Sequence, residues 1–174
     1  MADRAVSYAI ESLASAHDRA AFKSGVVPLD RYFTNQATQD IRRRVSACFV
    51  AVEDGAKAVA GYYTIAMTSI PLSDIAPATA KKLPRYPLVP AARIGRLAVA
   101  EGHRGKGLGA ALLVDAIKRA LQTKNMAFAV VVDAKDDTAV AFYRHHGFIA
   151  FASAPMSLYL PLAEAARQFG ISTS

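Results

Sequence analysis

Between Arg104 and Ala110 the chain reads Arg-Gly-Lys-Gly-Leu-Gly-Ala, with glycines at 105, 107 and 109 and an apolar, helix-like run directly behind them. Glycines let the backbone approach a ligand without Cβ interference. Amides at the start of a helix have no intrahelical acceptor, and the helix dipole favours negative charge there. With Arg104 and Lys106 alongside, this stretch reads either as a phosphate site or as a plain glycine-rich strand-to-helix turn without a ligand. Two common nucleotide loops do not fit it. A Walker A loop ends in Gly-Lys-Ser/Thr, whereas Lys106 is followed by Gly107 and Leu108; a dinucleotide fingerprint is spaced G-x-G-x-x-G, whereas these glycines alternate evenly. The single cysteine, Cys48, excludes an internal disulfide and cannot by itself build a structural zinc site. It lies in the strand-like run SACFVAVE and reads as a buried structural thiol. No metal site is expected.

A phosphate turn of this kind needs a strand before it and a helix after it, and the hydrophobic pattern supplies both. AARIGRLAV reads as the strand, and Ala110, Leu113, Val114, Ile117, Ala120 and Leu121 follow the i, i+3, i+4, i+7 spacing of a helix. MAFAVVVDA is nearly all apolar, as a central strand covered on both faces is. DDTAVAFYRHHGF predicts a short helix opened by Asp136 or Asp137 and ended by Gly147. PMSLYLPL is a last strand and AEAARQF a helical tail. Upstream, YAIESL is a first strand. Leu29, Phe33, Ala37, Ile41 and Val45 recur every four residues and predict one helical stripe, with Asp30 near its start to cap it or favour its dipole and Arg42, Arg43 and Arg44 on the other face. CFVAVEDGAKAVAGYYTIAMTSIPL predicts a hairpin turning at Asp54-Gly55. Prolines at 71, 77, 84, 87 and 90 make the next stretch loop-rich, with room for a short helix in SDIAPATAKKL.

The chain has 174 residues, 53% hydrophobic and 20% charged, which fits one folded domain, residues 1–174, with a real core. No run is long and apolar enough for a bilayer span, and MADRAVSYAIESL lacks the apolar core of a secretory signal, so a cytoplasmic protein is expected, with no membrane partner. A net charge of +7 favours a polyanionic partner.

The pattern R-x-x-G-x-G, from Arg104 to Gly109, set between an apolar strand and a helix, resembles the acetyl-coenzyme A site of the GCN5-related N-acetyltransferases, the GNAT family. AVAFYRHHGF is similar to a second element of that family, a helix whose tyrosine sits by the cofactor sulfur. The resemblance implies an α/β (α+β) fold with a central mixed, mostly antiparallel, twisted sheet flanked by helices. It implies acetyl-CoA as cofactor, held by Arg104, Gly105, Lys106, Gly107, Leu108, Gly109 and Ala110, with the strand Leu97, Ala98 and Val99 pairing with its pantetheine arm and Tyr143 at its sulfur. Over roughly Phe22 to Phe148 the chain further resembles the acetyltransferase toxins of bacterial toxin–antitoxin pairs. Such toxins acetylate the α-amine of aminoacyl-tRNA and stop translation. The implied partners are aminoacyl-tRNA, a ribbon-helix-helix antitoxin, operator DNA reached only through that antitoxin, and a second copy in a homodimer.

Acetyl transfer to an amine needs a neutral amine, a polarised carbonyl and a proton for the departing thiolate. Tyr143 is the proton donor this sequence offers, its phenol having an ordinary pKa near ~10 against ~8.5 for a thiol. AARIGRLAV carries no carboxylate to act as base. An α-amine, of pKa ~7.7 against ~10.4 for lysine, tolerates that gap best. The arginines available to meet RNA phosphates are Arg42, Arg43, Arg85, Arg93 and Arg96, of which Arg93 and Arg96 differ in parity along one strand and face opposite ways. Arg44 has Asp40 within reach on its own helix. Two other functions use the same motifs: a general acetyltransferase of a small amine or a protein N-terminus, and a non-catalytic coenzyme A-binding regulator acting through a DNA-binding partner.

Overall fold

The computed structural model describes residues 5–123 and 126–173. Residues 1–4, part of the leader reading, lie outside them. Seven strands form one sheet among the described residues, in the order β1-β2-β3-β4-β5-β7-β6. β4 (Leu88–Val99) and β5 (Ala129–Asp133) pair in parallel, while β1 (Tyr8–Ser12) with β2 (Ala47–Glu53), β2 with β3 (Val59–Pro71), and β7 (Ser157–Pro161) with both β5 and β6 (Ile149–Ala150) are antiparallel. The helices are α1 (Val27–Asn35), α2 (Ala37–Arg42), α3 (Pro77–Ala80), α4 (Leu108–Leu121), α5 (Asp137–His145) and α6 (Leu162–Phe169). The mixed, mostly antiparallel sheet matches the fold class read from the sequence.

The chain divides into two compact units, Met1–Ile65 with Arg96–Ala116, and Ala66–Gly95 with Ile117–Ser174. In the first, the β2–β3 hairpin turns as expected at Asp54-Gly55, with Gly55 at φ +78°. Its core is aromatic: Phe33 stacks on Tyr62 at 4.3 Å between centroids, and Phe22 meets both rings edge-on. Cys48 is buried beside them, and burial pushes its thiol up to about 12. Gly61 on β3 lets α4 come close, since a Cβ there would lie 3.0 Å from both the Ala98 carbonyl and a Leu112 methyl.

The continuous helical stripe predicted from Leu29 to Val45 is broken. Gln36, at φ −120°, separates α1 from α2, and Val45 is exposed beyond the end of α2. Gln36 donates from its side chain to Asp40 and its backbone amide bonds the Tyr32 carbonyl, both contacts one turn apart, and the hydrophobic period carries no mark of the break. Asp30 does not cap α1; its carboxylate accepts from the backbone amide and hydroxyl of Ser24, the latter at 2.5 Å. Asp40 accepts from Tyr32 and Gln36 instead of pairing with Arg44.

In the second unit the core joins Ile70, Ile75, Val89, Ala91, Ala129, Val131, Phe151 and Tyr159. Ala129 to Val132 of β5 are all buried, as its unbroken apolar run requires. α5 opens with Asp136 accepting from the Ala139 amide at 2.8 Å, and Gly147 follows it at φ +90°. The face of α4 that is buried is Leu112, Leu113, Ala116, Ile117 and Ala120, so Ala110, Val114 and Leu121 of the predicted stripe flank the core rather than fill it. No helix among the described residues is long and apolar enough to cross a membrane.

Candidate functional site

The glycine turn lies in the first unit, where a single 3₁₀ turn, Glu101–His103, leads from β4 into it. Gly105 and Gly107 both have φ +75°, a region in which a side chain is strained, and a Cβ at either would meet nothing within 4 Å. The concave face of the turn is therefore open, and Leu108 anchors it from behind, buried at the start of α4. First-turn amides of α4 have no intrahelical acceptors, and the positive end of the helix dipole lies at the same end of the helix. The chemistry that fits is a phosphate or pyrophosphate, as expected from the sequence. Lys106 is exposed and adds its charge. The Arg104 guanidinium donates to the Ser24 carbonyl.

That contact belongs to a brace that sequence reasoning missed. The Glu101 amide donates to the Lys23 carbonyl at 2.8 Å, and Ser24, buried, is held in turn by Asp30. Gly25 beside it has φ +86°, and a Cβ there would come within 2.7 Å of Arg104 Nη2. Nothing in the local pattern around Ser24 signals a partner 80 residues away.

Tyr143 lies in the second unit on α5, its ring buried between Phe142 and Phe148. The described residues contain five buried tyrosines. Four are hydrogen-bonded: Tyr32 to Asp40, Tyr62 to the Leu29 carbonyl at 2.6 Å, Tyr63 to Asp115 at 2.6 Å, and Tyr159 from the Ala76 amide. The Tyr143 hydroxyl has no hydrogen-bond partner among the described residues. Among the described residues no fully buried side-chain oxygen is left unpaired, so this one reaches accessible space. Burial, with a smaller contribution from the charge of Asp133, pushes its pKa up to about 12. The phenol thus keeps its proton at neutral pH and presents it as an unused donor.

Arg93 and Arg96 of β4 have separate roles. Arg93 pairs with Asp133 at 2.7 Å, both side chains 43% exposed, and Ser157 donates to the other oxygen of Asp133 at 2.7 Å. Arg96 lies 3.4 Å above the ring of Tyr32, whose hydroxyl bonds Asp40. These contacts hold the Asp40 carboxyl below its usual range, through the hydrogen bond from Tyr32 first. Arg42, Arg43 and Arg85 are exposed, as is Arg44, which takes a left-handed φ of 59°. Of the cofactor-strand residues, Ala98 is buried and Leu97 and Val99 are half-buried.

Residues 10–148 match the family model described as Acetyltransferase (GNAT) family. A "tRNA-acetylating toxin" of Mycobacterium tuberculosis is 34% identical over 160 residues, covering 91% of this chain and 94% of its own. Among solved structures, AtaT complexed with acetyl-methionyl-tRNAfMet superposes with a TM-score of 0.87 at 23% identity, covering 94% of this chain and 99% of its own. A tyrosine-to-phenylalanine mutant of the toxin AtaT, bound to the C-terminus of the antitoxin AtaR and acetyl-CoA, has a TM-score of 0.79 at 21% identity, covering 93% and 98%. With the family model spanning the glycine turn and the tyrosine helix alike, and a curated relative matching along nearly all of its length, the chain belongs to the acetyltransferase (GNAT) family.

Proposed function

We propose that this protein is a toxin that transfers the acetyl group of acetyl-CoA to the α-amine of an aminoacyl-tRNA, blocking translation until an antitoxin neutralises it. The observation that carries the reading is the 34% identity, along 91% of the chain, to a tRNA-acetylating toxin. Residues 1–174 then form one catalytic domain. The partner most consistent with the resemblance is a ribbon-helix-helix antitoxin that brings operator DNA with it, and the enzyme works as a homodimer in the cytoplasm.

Acetyl-CoA, when bound, would supply the acetyl group as a thioester with a thiol as its leaving group. The open turn at Gly105 and Gly107 and the first-turn amides of α4, from Leu108 to Ala110, suit its pyrophosphate, with Lys106 adding charge. The backbone of Leu97 to Val99 is suited to pair with its amide-bearing arm. Tyr143 holds a proton on Oη and, unpartnered among the described residues, is free to donate to sulfur. With the phenol pushed up to about 12, complete transfer to a thiolate of pKa ~8.5 is uphill by roughly three to four units. Tyr143 therefore acts chiefly as a hydrogen-bond donor to developing charge, a narrower role than the full proton transfer its ordinary pKa suggests.

β4 carries no Asp or Glu, so no base is built into it. An α-amine of pKa ~7.7 is partly neutral at cellular pH and needs none. The test is radiolabelled acetyl transfer to charged tRNA, uncharged tRNA and free amino acids across a salt series. Steeply salt-dependent transfer to charged tRNA alone is expected. Equal, salt-independent transfer to free amino acids would replace this reading with a small-amine acetyltransferase.

A further inference from the structure

The glycine turn is held from one short segment of its own unit, residues 22–30, which runs into α1. Phe22 packs edge-on against Phe33 and Tyr62 at one end, and near the other the Tyr62 hydroxyl donates to the Leu29 carbonyl at 2.6 Å. Between these anchors, successive carbonyls meet both ends of the 3₁₀ turn that leads into the glycines. That of Lys23 receives the Glu101 amide at 2.8 Å, and that of Ser24 receives the Arg104 guanidinium. We infer that Asp30, acting through Ser24 and Arg104, is a positioning residue that orders the glycine turn for the acetyl-CoA pyrophosphate. The inference rests on the placement of the pyrophosphate at that turn and deepens it.

Three observations carry it. Ser24 is 4% exposed, and its polar groups are all engaged: amide and hydroxyl donate to the Asp30 carboxylate, at 3.0 and 2.5 Å, while the carbonyl receives Arg104. Hydrogen bonds to a carboxylate are strong, so two of them on one residue fix the direction in which its carbonyl points. Next, Gly25 takes φ +86°, and a Cβ there would lie 2.7 Å from Arg104 Nη2 and 2.9 Å from Glu101 Oε1. The two side chains that flank the 3₁₀ turn thus close directly over this backbone. Finally, Gly105 and Gly107 have open space where a Cβ would be and no side chain with which to hold themselves. Glycine loses more conformational freedom on ordering than any other residue, and a turn ordered only on binding would subtract that cost from affinity. The order comes from the flanks: Leu108, buried on the α4 side, and Arg104 on the other.

The sign of one substitution separates positioning from charge. Removing a carboxylate from the surroundings of an anion site favours the anion, so electrostatics alone gives tighter binding in Asp30→Ala. Positioning gives weaker binding.

Acetyl-CoA binding would be measured by calorimetry in the whole protein for Asp30→Ala, Arg104→Ala and the double variant, with exchange of the Glu101 amide followed in the cofactor-free protein. Asp30→Ala should weaken binding about 10-fold, the worth of one hydrogen bond to a charged group, and speed the exchange. Asp30→Asn, which keeps an oxygen for Ser24, should recover most of both. Because Asp30 acts through Arg104, the double variant should bind within about 2-fold of Arg104→Ala, whereas independent action multiplies the two losses. Val131→Ala, a truncation in the core of the second unit, controls for lost stability and should leave affinity within about 2-fold. If Asp30→Ala does not fold, Ser24→Ala removes the hydroxyl bond alone and should cost about 3-fold or more in affinity. Unchanged or tighter binding in the folded variant, multiplied losses in the double variant, or an equal loss in Val131→Ala overturns the role of Asp30 alone. Wild-type affinity in Gly107→Glu overturns the placement of the pyrophosphate, and this inference with it.

Discussion

If Tyr143 has the proposed role, removing one oxygen atom should separate catalysis from stability. In Tyr143→Phe the ring keeps its contacts with Phe142 and Phe148, and the lost hydroxyl had no hydrogen-bond partner among the described residues. With no hydrogen bond to lose, stability should change by no more than about 0.5 kcal/mol. The matched control is Tyr62→Phe, which removes a 2.6 Å bond to the Leu29 carbonyl and strands that acceptor, at a cost of roughly 1–2 kcal/mol. In a domain of this size that corresponds to a fall in Tm of about 2–8 °C, against about 2 °C or less for Tyr143→Phe. Turnover should move the other way. A hydrogen bond to a charged group is worth about 1.5–3 kcal/mol, so losing it at the sulfur should lower kcat about 10- to 100-fold or more, with acetyl-CoA affinity nearly intact. Because the phenol is pushed up to about 12, the wild-type rate should show no loss from Tyr143 ionisation below about pH 10. The assays are single-turnover acetyl transfer, calorimetric cofactor binding and thermal melting of the two variants. Wild-type turnover in Tyr143→Phe removes this residue from the mechanism. A melting loss as large as that of Tyr62→Phe refutes the unpartnered hydroxyl.

Gly107→Glu puts a carboxylate and a strained φ where pyrophosphate belongs, and it should abolish acetyl-CoA binding in calorimetry; unchanged affinity in a folded Gly107→Glu or Gly109→Glu would end the cofactor assignment. If RNA phosphates are met by Arg42, Arg43 or Arg85, neutralising one contact should flatten the slope of log affinity against log salt by roughly one unit. Arg96→Gln, losing its seat on Tyr32, should lower Tm instead, and an unchanged Tm would count against that seat. Cys48, Tyr32 and Tyr143 are all raised to about 12, chiefly by burial. Their contribution is complete below the unfolded pKa values of ~8.5–10 and is lost as pH climbs towards 12, so urea midpoints should be steady near neutral pH and fall steeply above about pH 9. A flat midpoint to pH 11 would contradict their burial.

What the sequence made legible is what neighbours along the chain decide. The glycine turn, the Asp136 cap, the Asp54-Gly55 turn and the buried run of β5 are all local patterns, and each is found where it was expected. The misreadings turn on contacts that a hydrophobic period does not encode. A four-residue period cannot register that the backbone leaves the helix at Gln36, or that Leu112 rather than Val114 comes close to Gly61. Asp30 lies in the first turn of α1, where it favours the dipole as expected, but its carboxylate goes to Ser24, six residues back, rather than to a capping bond. At the site, sequence supplied Arg104 as a charge and Tyr143 as a donor. Only the three-dimensional arrangement distinguishes an arginine committed to a carbonyl from a tyrosine committed to no described residue.

The brace behind the glycine turn is made of main-chain oxygens at Lys23 and Ser24, and this determines how it would look in a saturation-mutagenesis map. Any side chain at position 23 retains the carbonyl that receives the Glu101 amide, so that column should be blank, tolerant of nearly every replacement. Intolerance should fall on the positions that route the backbone: Gly25, whose φ of +86° few residues accept, and Asp30, whose carboxylate fixes Ser24. The contact itself would leave no mark in such a map. It would be inferred from the sensitive columns at Gly25 and Asp30, before and inside α1, together with that of Arg104, whose side chain donates to the Ser24 carbonyl.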